Sequence, residues 1–294
     1  MIRLIASDMD GTLLNNNHDI DSKTVEAIKK AEEKGIIFAI STGREYGNVK
    51  DVLEKHNIRC QCIISSGAEY RDEDGNILES ININKEVVKR IIEIFDKYKM
   101  SCRIFTSDGV YTKSTKEEAL KEIVYRTVTF NKGISYEEAE ARAVNEPFFT
   151  NLKYIEDIDK FFESDIVVRK FVAFNGNVEL ITKVRQEIDD LGGLAVSSSF
   201  NDNIEVTDIS AQKGIILEKT AKKMGIDNNE VLVLGDSFND YSMFEVFEES
   251  VAMKNAIPEI KEAAKYITDS NDNLGVAKAI MCVVNGELNK ILKK

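Results

Sequence analysis

Short apolar runs alternate with amphipathic segments over the first third of the chain and again over the last third. Residues 2–7 form a short apolar run typical of a buried strand, and Asp21 or Ser22 can cap the helix that follows it. Further buried strands are predicted at residues 36–40, 62–67, 231–234, 250–253 and 266–268, with a helix capped by Ser210 before the strand at 231–234. This alternation is typical of a parallel sheet covered by helices.

The middle of the chain follows a different pattern, in which strands are separated by turn residues. Ser107-Asp108-Gly109 lies between apolar runs at 102–106 and 110–113, which predicts a hairpin. Phe200 to Asn203 is a second predicted turn, between strands at 194–199 and 204–207. A strand at 167–174 and a helix at 85–98 complete this region. We therefore predict an α/β core, residues 1–83 and 209–294, interrupted by an inserted α+β domain with a largely antiparallel sheet, residues 84–208.

The bulk composition limits the classes of partner. A length of 294 residues suits two domains. The formal net charge of −12 argues against a nucleic-acid or anionic membrane surface, because such partners select basic patches. No apolar run approaches the ~20 residues that span a bilayer, so we expect a cytoplasmic protein. The four cysteines are scattered, which indicates free thiols. No particular oligomeric state is predicted.

Polar clusters stand where the predicted core strands end or where a core helix begins. The clusters are Asp8 and Asp10; Thr42, Gly43 and Arg44; Lys213; and Asp236, Asn239 and Asp240. In an open parallel sheet the carboxyl ends of the strands border the ligand crevice. We therefore expect these residues, distant in sequence, to lie close together.

The carboxylates among them indicate a metal site. Asp8 and Asp10 stand two residues apart in an extended segment, so their side chains can point to the same side. Asp236 adds a third carboxylate, and three neighbouring carboxylates repel one another unless a cation compensates them. Hard oxygen ligands of this kind suit Mg²⁺ better than zinc. Each segment alone also fits an ordinary turn or helix cap.

Taken in chain order, the segments resemble a known set of motifs. Asp8-Met9-Asp10-Gly11-Thr12, Thr42-Gly43-Arg44, Lys213-Gly214 and the stretch 235–240 resemble the four motifs of haloacid dehalogenase (HAD) superfamily phosphohydrolases. Residues 251–256 and 271–277 resemble its Cof-type branch, and the position of the insertion matches the C2-type (IIB) cap of that branch. Lys254 and Leu274 depart from the branch pattern outside the catalytic set.

This resemblance implies a Rossmann-like core and a Mg²⁺-dependent phosphatase acting on small phosphorylated metabolites, such as sugar phosphates, through an aspartyl-phosphate. It implies Asp8 as the nucleophile and Asp10 as the proton donor and acceptor. Mg²⁺ would be held by Asp8, the backbone carbonyl of Asp10 and Asp236. The resemblance also implies that Thr42 and Lys213 contact the phosphoryl group. Contact with the phosphate or the substrate is implied for Thr12, Gly43, Arg44 and Asn239. Asn239 and Asp240 would support the metal shell and Lys213. Arg44 is also open to a structural role.

Two other functions compete with this reading. A phosphosugar mutase of the same superfamily would use the same core motifs. A phospho-accepting regulatory domain would also use an acidic pocket and a lysine, but Asp10 and an insertion of about 120 residues, long enough for a domain, argue against it.

Four cations of the predicted cap have the charge to contact a second anionic group of a substrate. We expect Arg103, Arg126, Arg169 and Lys170 to be solvated instead, and Phe148 and Phe149 to lie in the cap core.

Overall fold

The computed structural model describes residues 1–130, 133–199 and 202–293. It divides into two compact units. Unit 1 contains the described residues of 1–81, 197–199 and 209–294, and unit 2 contains those of 82–196 and 200–208. The predicted limits of the inserted domain, 84 and 208, lie within two residues of the main divisions. Residues 197–199, predicted within the insertion, belong to unit 1.

The first part of unit 1 contains five strands and two helices. They are β1 (Leu4–Ser7), α1 (Ser22–Glu33), β2 (Ile37–Ser41), α2 (Tyr46–His56), β3 (Gln61–Ile64), β4 (Glu69–Arg71) and β5 (Ile77–Ser80). The Asp21 carboxylate accepts a hydrogen bond from the backbone N–H of Lys23 and caps α1, as predicted. β3 is shorter than predicted, because Ser65, Ser66 and Gly67 have φ angles of 51°, 59° and 99°, which a strand cannot contain.

Unit 2 is built around a six-stranded sheet. Its elements are α3 (Lys85–Lys97), β6 (Arg103–Thr106), β7 (Gly109–Thr112), α4 (Lys116–Phe130), α5 (Tyr136–Ala143), α6 (Pro147–Thr150), β8 (Lys153–Tyr154), α7 (Ile158–Glu163), β9 (Val168–Phe174), α8 (Val178–Asp189), β10 (Leu194–Ser197) and β11 (Asn203–Asp208). The strand order is β10-β11-β9-β6-β7-β8, and β9 is antiparallel to both its neighbours. The predicted hairpin at 107–109 connects β6 and β7. The second predicted turn falls partly on Phe200 and Asn201, which lie outside the described residues.

The last part of the chain completes unit 1. It contains α9 (Lys213–Lys223), β12 (Val231–Gly235), α10 (Tyr241–Val246), β13 (Ser250–Ala252), α11 (Pro258–Ala263), β14 (Tyr266–Ile267) and α12 (Gly275–Val284). The predicted cap of α9 is wrong by two residues, because Gln212 and not Ser210 occupies the N-cap position.

The sheet of unit 1 places the predicted polar clusters at one edge. Its order is β14-β13-β12-β1-β2-β3-β4-β5, parallel from β14 to β3 and antiparallel in β4 and β5. The strand order reverses at β1, which lies between β12 and β2. Ligands of such sheets bind at the carboxyl ends of the strands beside this reversal. The predicted α/β core and the second, largely antiparallel sheet are both confirmed.

The core of unit 1 is apolar on all sides of its central strands. Residues 231–234 are fully buried, as expected for a strand covered by helices on both faces. Within the described part of the chain, no helix combines the length and the apolar character needed to cross a bilayer.

The sheet of unit 2 buries charge that the sequence predicted to be solvated. Ile104 and Phe171 pack against α3 and α8, so Arg103 and Lys170, which alternate with them, face the other way. There Lys170 Nζ lies 2.6 Å from Glu205 Oε2, and Arg103 Nη2 lies 3.3 Å from Glu122 Oε1. The prediction of solvated side chains is therefore wrong for Arg103 and Lys170, whose residues are only 3% and 2% exposed.

The two adjacent phenylalanines of unit 2 also differ from each other. Phe149 packs into a small apolar cluster with residues of α4 and α5, as predicted. Phe148 is 44% exposed, so its predicted place in the core is wrong. Its ring instead lies near the Arg103 guanidinium.

Candidate active site

Asp8 stands at the point where β1 ends beside β12. Its backbone N–H donates a 3.0 Å hydrogen bond to the carbonyl oxygen of Leu234, which fixes the residue against the neighbouring strand. The carboxylate is buried, and its Oδ1 accepts a 2.7 Å hydrogen bond from Lys213 Nζ. The parallel pairing of β1 with β12 thus delivers the first predicted carboxylate to the switch point of the sheet.

The turn after Asp8 depends on Gly11. Its φ of 77° is left-handed, and a Cβ at this position would lie 2.4 Å from Asp236 Oδ2. No side chain therefore fits between the turn and Asp236. The following residue, Thr12, donates a 2.8 Å hydrogen bond from its hydroxyl to Asp236 Oδ1. The Asn255 amide donates to the carbonyl oxygen of Gly11 at 2.7 Å, a support for the turn that was not predicted from the sequence.

Lys213 is the central cation of the site. It opens α9 with its side chain fully buried, and Nζ donates to Asp8 Oδ1 at 2.7 Å, Asp240 Oδ1 at 2.6 Å and Asn239 Oδ1 at 3.3 Å. Burial alone would lower the pKa of Lys213, but the carboxylates of Asp240 and Asp8 outweigh it and raise that pKa. Lys213 is therefore a permanent ammonium group that ties both carboxylates to one point.

Asp240 links this cation to the loop after β12. Its Oδ2 accepts hydrogen bonds from the backbone N–H groups of Asp236 at 2.9 Å and Ser237 at 3.1 Å. The same carboxylate thus caps the loop with one oxygen and receives Lys213 with the other. Asn239 is held in the same way, because its Oδ1 also accepts from the Ser237 hydroxyl at 2.9 Å.

Three carboxylates converge on one region of this site. One oxygen each from Asp8, Asp236 and Asp240 lies within 4.8 Å of the other two. Burial and the charge of Asp240 raise the pKa of Asp8 well above its usual range. The same two causes raise the pKa of Asp236 to about 7. Three carboxylates facing one lysine leave excess negative charge, and an oxygen-bound divalent cation would remove it. The donor set therefore fits such a metal.

Asp10 points to a different partner. Its carboxylate receives two hydrogen bonds from Arg44, from Nε to Oδ2 at 2.8 Å and from Nη2 to Oδ1 at 2.6 Å. Partial desolvation of the half-exposed side chain favours the neutral acid, but the hydrogen bonds and charge of Arg44 outweigh it and lower the pKa of Asp10. The side chain of Asp10 does not belong to the group of three converging carboxylates.

The segment from Thr42 to Arg44 is fixed by the strained turn after β3. The backbone N–H of Ser66 donates to the carbonyl oxygen of Thr42 at 3.0 Å. The backbone N–H of Ser65 donates to the carbonyl oxygen of Arg44 at 2.8 Å. Thr42 is fully buried, and its hydroxyl accepts from the backbone N–H of Arg44 at 3.3 Å. Gly43 lies between them. This support was not predicted from the sequence, although a Ser-Ser-Gly cluster after an apolar run is a turn signal.

The structure thus joins Asp8, Thr12, Lys213, Asp236, Asn239 and Asp240 through direct hydrogen bonds, with Asp10, Thr42 and Arg44 linked beside them. These residues coincide with the motifs of one family. The haloacid dehalogenase-like hydrolase family matches residues 5–280. The chain belongs to this family.

Curated relatives and solved structures of the family cover nearly the whole chain. The chain is 30% identical over 286 residues to the 5-amino-6-(5-phospho-D-ribitylamino)uracil phosphatase YwtE of Bacillus subtilis strain 168, covering 97% of this chain and 99% of that protein. It is 27% identical over 263 residues to the HMP-PP phosphatase of Yersinia pestis strain Pestoides F, covering 89% of this chain and 87% of that protein. A solved haloacid dehalogenase-like hydrolase from B. subtilis superimposes with a TM-score of 0.85 at 29% identity, covering 95% of this chain and 99% of that one.

These comparisons confirm the resemblance to Cof-type HAD phosphohydrolases and the expected class of enzyme, a phosphatase of this superfamily. The buried carboxylates of the HAD core are compatible with the divalent metal that the family uses. The roles predicted for single residues stay predictions.

Proposed function

We propose that this HAD hydrolase is a Mg²⁺-dependent phosphatase that transfers the phosphoryl group of a small phosphorylated metabolite to Asp8 and then to water. The observation that carries the proposal is the position of the buried Lys213, which holds Asp8 and Asp240 while Asp236 adds a third carboxylate to the same region. This arrangement supports a carboxylate nucleophile in a pocket that neutralises a phosphate.

The residues divide the chemistry between them. In the first step an oxygen of Asp8 forms a bond to phosphorus while the bond from phosphorus to the leaving oxygen breaks, and Asp10 gives a proton to that oxygen. In the second step a water oxygen attacks the aspartyl-phosphate, Asp8 leaves, and Asp10 takes the proton. Lys213 keeps the Asp8 carboxylate in one orientation throughout.

Mg²⁺ bound by Asp8 and Asp236, with the Asp10 carbonyl as a further ligand, would supply the positive charge that lets one anion attack another. Thr42 and Lys213 would hold phosphoryl oxygens, with Gly43, Thr12 and Asn239 as further contacts. The Thr12 hydroxyl donates its hydrogen bond to Asp236, so Thr12 would contact the phosphate through its backbone N–H.

The substrate is a small phosphomonoester, a sugar phosphate or a similar metabolite. The two named relatives act on a phosphorylated ribitylaminouracil and on HMP-PP, which supports a small phosphorylated substrate without selecting one. The net charge of −12 disfavours nucleic acid and supports free metabolites. A cytoplasmic location agrees with such substrates.

The test is phosphate release from an aryl phosphate by the wild type and by Asp8→Asn, each with Mg²⁺ and with a chelator. We expect many turnovers by the wild type, strict dependence on the metal, and loss of activity in Asp8→Asn by at least about 10³-fold. Near-normal turnover by a folded Asp8→Asn protein would reject Asp8 as the nucleophile. A single labelling event without turnover would instead support a phospho-accepting domain.

A further inference from the structure

The guanidinium of Arg44 points its Nε–Nη2 edge at Asp10. This is the edge of an arginine that best recognises an oxyanion. Nε and Nη2 form a planar fork, and both nitrogens donate to the two oxygens of this one carboxylate, at 2.8 Å and 2.6 Å. Paired N–H···O bonds of this kind fix geometry as well as adding energy. A phosphate could use the same fork only if Arg44 released Asp10.

The Asp10 carboxylate needs such a partner, because its surroundings restrain it little. Its side chain is 50% exposed, and Gly11, whose φ is 77°, follows it directly. A half-exposed aspartate can populate several rotamers. Two hydrogen bonds to the two oxygens leave one orientation, and each oxygen keeps a second lone pair that can carry the transferred proton.

Arg44 is itself rigidly placed. Its side chain is only 19% exposed, its carbonyl oxygen accepts from Ser65, and its N–H donates to the Thr42 hydroxyl. The strained turn after β3 therefore fixes the backbone from which the Arg44 side chain extends, and the guanidinium holds Asp10. This chain of contacts ends on the residue to which proton transfer is assigned.

We propose that Arg44 is a positioning residue that orients the Asp10 carboxylate toward the leaving oxygen of the substrate. The inference rests on the proposed function, in which Asp10 protonates that oxygen. It differs from the direct phosphate or substrate contact expected from the sequence. Proton transfer requires heavy atoms within about 2.6–3.2 Å, so loss of the orientation lowers the rate of steps that need the acid.

The experiment measures kcat/KM for two phosphomonoesters, an aryl phosphate with an acidic phenol as leaving group and a simple alkyl phosphate. In a mechanism with an aspartyl-phosphate, kcat/KM reports the steps up to departure of the alcohol. The alkyl alcoholate needs a proton from Asp10, whereas the phenolate leaves without one. The variants are Arg44→Met, Arg44→Lys, Asp10→Asn and the double variant Arg44→Met/Asp10→Asn.

A matched control removes another arginine–carboxylate pair of unit 1. Arg3→Met breaks the 3.1 Å pair of Arg3 with Glu230, whose residues take no part in the site. We expect it to leave both substrates unaffected. Thermal unfolding of every variant checks that the fold persists.

We expect Arg44→Met to lower kcat/KM for the alkyl phosphate at least about tenfold more than for the aryl phosphate, with partial recovery in Arg44→Lys. The double variant should lose little more than Asp10→Asn alone, because Arg44 acts through Asp10. Equal losses on both substrates, or losses that add to those of Asp10→Asn, would overturn the inference in favour of direct phosphate contact. If Asp10→Asn itself affects both substrates equally, the proton-transfer role of Asp10 falls and the inference falls with it, whereas Asp8→Asn tests phosphoryl transfer independently.

Discussion

The Thr12 hydroxyl donates a 2.8 Å hydrogen bond to Asp236 Oδ1, joining two motifs that are 224 residues apart in the sequence. This hydrogen bond stabilises the negative charge of the Asp236 carboxylate. It therefore counteracts the rise in the pKa of Asp236 that burial and the charge of Asp240 cause. Thr12 therefore helps to keep Asp236 ionised and ready for a cation.

Replacing Thr12 by valine tests this relationship. The change keeps the shape of the buried side chain and removes the donor, so we expect Asp236 to bind a cation more weakly. The Mg²⁺ concentration for half-maximal activity should rise severalfold, while kcat at saturating Mg²⁺ changes less. Thr12→Ser, which retains the hydroxyl, is the control. An unchanged Mg²⁺ dependence in Thr12→Val would show that the bond does not prepare the metal site.

The raised pKa of Asp236 predicts how the stability of the metal-free protein depends on pH. The pKa is about 7 in the folded protein and near 3.8 in the unfolded chain, so the folded state binds more protons between these values. The stabilising contribution of this group is complete below about pH 4 and is lost as the pH rises through about 7. We expect a decrease of roughly 1–3 kcal/mol between pH 5 and 8, because partial exposure reduces the effect.

The measurement is the unfolding temperature in a chelator at several pH values, for the wild type and for Asp236→Asn. The wild type should lose stability as the pH rises, and Asp236→Asn should lose less. Adding Mg²⁺ at pH 8 should restore stability to the wild type only. Parallel pH profiles for the two proteins would contradict the assignment of the shift to Asp236.

Gly11 and Gly35 form a matched pair for testing the close approach to Asp236. Both have left-handed backbones, with φ of 77° at Gly11 and 75° at Gly35. A Cβ added at Gly11 would lie 2.4 Å from Asp236 Oδ2, whereas one added at Gly35 would meet nothing within 4 Å. Gly35→Ala should cost only the backbone strain, on the order of 1 kcal/mol. Gly11→Ala should cost more and should also weaken activation by Mg²⁺. Equal free energies of unfolding and unchanged metal activation would refute the close contact.

Removal of the buried ammonium should destabilise the fold as well as the chemistry. Lys213→Met leaves Asp8 and Asp240 facing each other without their shared cation, which we expect to cost roughly 3–5 kcal/mol in the free energy of unfolding. Adding Asp240→Asn to Lys213→Met should recover part of that loss, since one charge is then absent. Urea denaturation in a chelator measures both effects. If adding Asp240→Asn lowered the free energy of unfolding further, repulsion between Asp8 and Asp240 would not be the cause of the destabilisation.

Much of the core could be predicted from sequence because its signals are local. The apolar run at 231–234 has the length and flanks of a buried strand, and Asp21 caps α1 where its position predicts. The resemblance to the HAD motifs implied that Asp8 and Asp240 contact Lys213, and both hydrogen bonds are present. By contrast, the end of β3 was missed because Ser65 and Ser66 adopt a left-handed conformation that serine seldom takes.

The contacts that the sequence did not reveal are those between side chains far apart in the chain. Nothing in Thr42-Gly43-Arg44 indicates that the arginine reaches Asp10 and not a ligand. Arg103 and Lys170 alternate with apolar residues in strands, a pattern that predicts a solvated face. Glu122 on α4 and Glu205 on β11 instead give these two buried cations carboxylate partners.

The position of β1 has a consequence for biosynthesis. Leu4 to Ser7 leave the ribosome more than 200 residues before residues 231–234, with which one edge of this strand pairs. Until then the nascent chain carries an unsatisfied strand edge, which is prone to pairing with other chains. The contacts of Lys213 with both Asp8 and Asp240 can form only after residue 240 has been synthesised, so a product terminated before that point would be both inactive and vulnerable to aggregation.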